Sequence, residues 1–370
     1  MTKKLPWGIT ALASIAIVAS ACTSAGTASP SAAPATAAPA TAAPATAAPA
    51  TATPAPATAA PAAGTEQVDK VNDAGLSLAG KVIGVEAIGT DHYWDRMAFQ
   101  GMQEQLKKMG ATVIAVDAGR DDQKQVSDLE NLLVQKPDAI VNILGTQTVL
   151  EPVFAKIKAA GIPLFGVDMA SENMINNTTS DNVKLGTELA ERMVADMGGK
   201  GQIAAFNGFY GINVCALRYD AMKAVLAKNP AVTIIQPELQ DVIPNTQEGA
   251  RKDVQDLLQK YPVGQIGAVW GCWDIPGIGA NQAIVEAGRQ AQVKYYGVDG
   301  DPTVLEIMAQ PGQALGGDAA QQPKLIGQIS AVNIARVLSG ATVAKTTLVP
   351  AYLATPENVV EVRKILGQTP

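Results

Sequence analysis

Histidine is almost absent from this chain: its 370 residues carry one, His92. A histidine-ligated zinc site, or a Ser-His-Asp or Cys-His arrangement, needs more than a lone imidazole with no evident partner. Cysteine is scarce as well, with three residues, Cys22, Cys215 and Cys272. Basic runs are missing and the formal net charge is −6, which excludes the electrostatic footprint that nucleic acid or an anionic membrane surface demands. The apolar run Ile9–Ala21, 13 residues long, is shorter than the roughly 20 that a membrane-spanning helix needs. Aromatic residues are only 4 % of the chain, so the places where they gather carry information.

What is present begins with that apolar run. Lys3 and Lys4 precede it and Ala19-Ser20-Ala21-Cys22 closes it, the order of a secretory signal over residues 1–21. A cysteine directly after small residues is similar to a bacterial lipoprotein signal, although Ala19 stands where such signals usually carry Leu. The similarity implies that Cys22 is lipidated after cleavage, and loss of the two lysines takes the mature charge to −8. Residues 22–64 form a linker in which Ala-Thr-Ala-Ala-Pro recurs, closing on Pro34, Pro39, Pro44 and Pro49. With no large apolar side chains and regular proline it makes no core. It is expected to be extended, reaching on the order of 100 Å. The chain is thus expected to work outside the cytoplasmic membrane, on its outer face or in the periplasm, as a body on a lipid-anchored leash.

The body, from about residue 78 to 365, is long enough for two α/β lobes. Short β-branched runs predict strands over 82–85, 112–116, 139–143 and 163–167, alternating with stretches of helical period over 94–109, 123–135 and 150–160. Gly110 and Gly161 sit where helix C-terminal caps are expected. The pattern restarts with strands over 202–206, 233–235, 268–270 and 294–297 and helices over 218–228, 246–260 and 278–287. Continuous apolar strands alternating with helices predict parallel, doubly wound sheets in two similar lobes. Ser180-Asp181-Asn182 is a candidate crossing between them.

Ligands of open α/β sheets bind outside the carboxyl ends of the strands. There this sequence places His92, Tyr93, Trp94 and Asp95, then Asp168, then Phe209 and Tyr210, then Trp273 and Asp274, then Asp299 and Asp301. Of the scarce aromatics, Tyr93, Trp94, Phe209, Tyr210 and Trp273 stand beside carboxylates at strand ends, where two lobes would face each other, rather than inside strands as core residues would. An indole packs on the C–H face of a sugar or polyol while carboxylates accept from its hydroxyls.

From Lys81 to about Lys345 the chain resembles a type I periplasmic substrate-binding protein of the ribose/galactose-binding group, the soluble component of ABC sugar transporters. The resemblance is carried by Gly161-Ile162-Pro163 leading into Val167-Asp168, Ser180-Asp181-Asn182, Arg218, Ala268-Val269-Trp270 leading to Asp274, Gly297-Val298-Asp299-Gly300, and Gln321-Gln322-Pro323 before Ile326-Gly327. It implies two Rossmann-like lobes joined by a three-crossing hinge that bends shut on the ligand. The lobes would be 78–180 with 322–344, and 181–321 with 345–366. The family's ligand aspartates fall on Asp168 and Asp299, its hinge-side glutamine on Gln321, and a stacking aromatic on Trp94. Met169 and Ala216 stand where the family has cationic donors, and Trp273 where it has asparagine. These departures point to a hydroxylated ligand other than ribose, less polar or smaller.

Several of these residues also have an ordinary structural account. Asp274 is expected to cap the next helix rather than touch ligand, Trp270 to be core, and Asp299 to face the cleft rather than serve as an N-cap before Pro302. His92 is open between ligand contact and exposed loop. In a doubly wound second lobe Cys215 and Cys272 lie at the same sheet edge, where a disulfide fits the geometry; two free thiols with Cα atoms more than about 7 Å apart is the alternative.

The resulting expectation is a solute-binding lipoprotein, not an enzyme, that captures a small neutral sugar or polyol and delivers it to an ABC permease. Tyr93, Trp94, Asp168, Tyr210, Trp273, Asp299 and Gln321 are its expected ligand residues. No cofactor, metal or nucleic acid is implied, and the family habit is a monomer. A ligand-sensing receptor of the same fold, or an enzyme on the same scaffold using Asp168 and Asp299, are the alternatives.

Overall fold

The computed structural model describes residues 64–368; the expected signal, Cys22 and the linker up to residue 63 lie outside them. The chain runs β1 (Thr65–Gln67), β2 (Val82–Ala87), α1 (Tyr93–Lys108), β3 (Thr112–Asp117), α2 (Asp122–Val134), β4 (Ala139–Ile143), α3 (Gln147–Ala159), β5 (Leu164–Val167) and β6 (Asn176–Thr179). It continues with α4 (Asn182–Asp196), β7 (Gly201–Phe206), α5 (Asn213–Ala227), β8 (Val232–Ile234), α6 (Thr246–Lys260), β9 (Ile266–Gly271), α7 (Ile275–Glu286), β10 (Lys294–Asp299), α8 (Pro302–Met308) and β11 (Leu315–Ala320). Then come α9 (Pro323–Leu338), β12 (Thr346–Leu348), β13 (Tyr352–Ala354) and α10 (Val359–Ile365).

Two sheets result, ordered β1-β12-β6-β5-β4-β2-β3 and β13-β11-β10-β9-β7-β8. Every pair is parallel except β11 with β13. Helices on both faces explain why β4 is buried at every position and is apolar except for Asn142. In each sheet the strand order reverses about one strand, β2 in the first and β7 in the second, which opens a crevice at the carboxyl edge.

The chain passes between the sheets three times, after β6, after β11 and after β12. The last passage falls later than the expected residue 345, because Thr346–Leu348 pairs with Asn177–Thr179 and with Thr65–Gln67. The first sheet also starts earlier than residue 78 for the same reason. In α9, Gly327 lets the helix seat on α1: a Cβ there would lie 2.1 Å from the carbonyl oxygen of Ala98. Gly110 and Gly161 end their helices at φ 95° and 74°, as their positions predicted.

Candidate ligand-binding site

The crevice between the two carboxyl edges holds a small cavity of about 50 Å³. The start of α1 brings Trp94 and Asp95 to it, the turn after β3 brings Arg120, and the end of β5 brings Asp168. From the second lobe come Phe209, Arg218 in α5, Trp273 after β9 and Asp299 at the end of β10.

Arg218 is the centre of this arrangement. It is 3 % exposed, and its guanidinium donates to Asn182 Oδ1 at 2.7 Å, to the Cys272 carbonyl at 2.7 Å and to Gln321 Oε1 at 2.9 Å. It stands 3.7 Å from an Asp168 oxygen and 3.5 Å from an Asp299 oxygen, so one cation lies between a carboxylate of each lobe. Burial pushes both aspartates above the usual carboxylate range, Asp299 the further, while Arg218 pulls them back down. Their backbones are unusual for non-glycine residues, with φ 49° at Asp168 and 132° at Asp299.

A second charged knot sits at the mouth. Arg120 pairs with Asp91 at 2.8 Å and contacts Asp95 and His92 Nδ1. Burial raises Asp95 to about 6 against the pull of Arg120. Burial, then the Arg120 charge, pushes His92 down to about 4, so its imidazole is neutral near neutral pH. The ring lies 4.5 Å from that of Trp273, with Phe209 edge-on to the same indole at 5.5 Å and Arg120 6.0 Å from it. Asp91, His92 and Asp95 are close enough to hold a cation, but the Arg120 guanidinium sits among them.

Of the expected residues, Trp94, Asp168, Trp273 and Asp299 line the crevice. Gln321 stands behind it, holding Arg218. Tyr210 is turned away: it is 46 % exposed and donates to Asp220 at 3.1 Å. Tyr93 is engaged elsewhere, its hydroxyl accepting from Gln368. His92 lies against Trp273, so the two expected indoles do not simply face each other across open space. Trp94 Nε1, at the crevice wall, is buried without a hydrogen-bond partner.

Asp274 takes the N-cap position of α7, as expected, but does not cap it through its side chain. One oxygen accepts from the Asp301 N–H at 2.7 Å while the other is unpartnered. Trp270 is core, 0 % exposed. Cys215 and Cys272 are bridged, with Cα atoms 5.1 Å apart. The bridge joins the first turn of α5 to the end of β9, next to the carbonyl that receives Arg218.

Arg120, Asp95 and Phe209 complete the crevice without having been expected as ligand residues. The signal for Arg120 was available: it follows β3, at the same carboxyl edge as the other strand ends. Among the described residues no helix is long and apolar enough to cross a membrane.

Residues 82–342 match the family model described as periplasmic binding protein domain. The ribose import binding protein of Bacillus subtilis is 31 % identical over 263 residues, which cover 69 % of this chain and 81 % of that one. A crystal structure of an ABC sugar transporter subunit from Rhodobacter sphaeroides is 53 % identical, with TM-score 0.75, covering 76 % of this chain and all of that chain (100 %). An ABC transporter solute-binding protein from Agrobacterium vitis, solved with bound allitol, is 47 % identical with TM-score 0.76, covering 78 % of this chain and 99 % of that one.

Proposed function

The chain belongs to the periplasmic binding protein family, and from that premise we propose that it captures a small neutral sugar or polyol outside the cytoplasmic membrane and hands it to an ABC permease. The observation that carries this reading is Arg218 set between Asp168 and Asp299, one from each lobe. A ligand hydroxyl entering there accepts from the guanidinium and donates to a carboxylate, so closing the lobes completes its hydrogen bonds. Trp94 and Trp273 supply apolar surface for the C–H groups. The relatives are transport binding proteins. Asp168 and Asp299 are here ion-paired binding groups rather than a base and a nucleophile, so the ligand leaves unchanged.

Within this class a polyol is favoured. Met169 and Trp273 replace polar partners that a ribose pocket uses, and the relative from Agrobacterium vitis holds allitol. Export by the signal over residues 1–21, anchoring through Cys22 and reach through the linker belong to the same reading, with the body acting as a monomer.

The test is a thermal-shift screen of the chain against polyols, pentoses and hexoses, with amino acids and nucleosides as controls. A ligand at a hundred times its dissociation constant stabilises the fold by about 2.7 kcal/mol. A polyol or sugar response that Asp299→Ala abolishes is the expected result. A response only to amino acids or nucleosides would overturn the cargo.

A further inference from the structure

The side chain of Gln368 reaches from one lobe to the other. Its position follows from the way α10 ends. Gly367 adopts φ 67°, its N–H donates to the Lys364 carbonyl at 3.0 Å, and the N–H of Gln368 donates to that of Arg363 at 2.8 Å. This pair of bonds is a Schellman turn, which favours glycine in the left-handed position. Arg363 adds a tie from its guanidinium to the Gln368 carbonyl at 3.2 Å. The backbone at 368 is therefore held from three directions before the side chain makes any contact.

The amide then donates twice. Gln368 Nε2 gives one hydrogen bond to the Gly300 carbonyl at 2.9 Å and another to the Tyr93 hydroxyl at 3.3 Å. Gly300 follows Asp299 in the second lobe, and α10 packs in that lobe with α8 and β13. Tyr93 opens α1 in the first lobe, directly before Trp94. The amide oxygen is buried without a partner, so these two donations account for the whole recognition of the side chain.

We propose that Gln368 and Tyr93 form an interlobe clasp that holds the crevice shut and sets how long a ligand stays inside. It rests on the hinge-closing function proposed above. The clasp ties the loop carrying Asp299 to the helix start carrying Trp94, yet neither Gln368 nor Tyr93 lines the crevice. Closure energy can thus be changed without touching the groups proposed to meet the ligand.

The test uses the full chain carrying Cys22→Ser, with spin labels on Val134→Cys and Val263→Cys, exposed positions of the first and second lobes (78 % and 68 %). Pulsed dipolar spectroscopy reads the distance between them, first without ligand. Gln368→Ala and Tyr93→Phe should each raise the open-to-closed ratio about two- to tenfold, the range of one net hydrogen bond. The double variant should go no further than Gln368→Ala alone, because both act through one contact. Tyr93→Phe removes only an oxygen, so it keeps the test informative if Gln368→Ala folds poorly. Distance distributions that match wild type in both variants overturn the clasp. A repeat with allitol addresses the cargo separately: a clasp effect without ligand and no response to allitol supports the clasp and counts only against that polyol.

Discussion

The indole N–H of Trp273 donates to Asp241 Oδ1 at 2.7 Å, and the other oxygen of the same carboxylate accepts from the Gly208 N–H at 3.0 Å. Asp241 thereby ties the indole at the crevice to the turn after β7, which also supplies Phe209. Burial raises the Asp241 carboxyl, and these two donors oppose the rise. A ring fixed at its nitrogen loses little freedom when a ligand packs on it.

Asp241→Ala should therefore weaken binding of the polyol found in the screen by about fivefold, or roughly 1 kcal/mol. In a Trp273→Phe background, which has no ring N–H, the same substitution should cost almost nothing further. Ligand titrations of the two singles and the double check this. Additive losses would mean that Asp241 acts on something other than the indole.

Arg218→Ala should destabilise the fold as well as abolish binding. It leaves Asp168 and Asp299 buried without their cation, and breaking a buried pair costs about 3 kcal/mol or more. Thermal unfolding should show the loss, and Asp168→Asn introduced beside it should recover part of the stability by removing one stranded charge. No recovery would mean that the aspartates are already protonated in the fold.

The strands that were legible in the sequence are those whose buried faces are apolar. β4 is apolar except for Asn142, and β10 is apolar between Lys294 and Asp299, because helices cover both sides. β6, Asn176–Thr179, escaped because it is polar at every position. It is buried through a network instead: Asn176 and Asn333 each donate to Thr347 Oγ1 at 3.0 Å, and Thr178 donates to Asn176 Oδ1 at 2.9 Å. No pattern of apolar residues reports a strand held in that way, and β12, its partner, was missed with it. The site was legible where carboxylates and indoles end strands, as with Trp94, Asp168, Trp273 and Asp299. It was not legible for Tyr210, whose turn toward Asp220 depends on the helix start at Asn213, five residues ahead of the expected 218.

The Cys215–Cys272 bridge closes a loop with a sequence separation of 57. Loop-closure entropy over that span corresponds to about 4 kcal/mol. Cys215→Ser with Cys272→Ser should lower the unfolding temperature markedly, and a reductant should then have no further effect. It should also weaken binding, since the Cys272 carbonyl receives Arg218 and the next residue is Trp273. Non-reduced peptide mapping that finds both thiols alkylated would remove the basis for this expectation.

Stability should fall as pH rises from about 4 to about 7. Burial holds the Asp318 carboxyl at about 7 and Asp95 at about 6, and raises Asp274 as well. An unfolded Asp titrates near 3.9, so over this range the folded chain keeps protons that the unfolded chain has released. Stability from these groups is complete below about pH 4 and is lost as pH climbs through each folded value. His92 opposes the trend, because its folded value of about 4 lies below the unfolded value near 6.5, and its share grows as pH rises between them. Asp318, Asp95 and Asp274 together outweigh one imidazole, so stability falls between about pH 5 and pH 7.5. Unfolding temperatures measured across that interval should decline, and Asp318→Asn, which cannot ionise, should flatten the upper part of the curve. A rise toward neutral pH would instead mean that these carboxylates are charged in the fold and are balanced by cations such as Arg218 and Arg120.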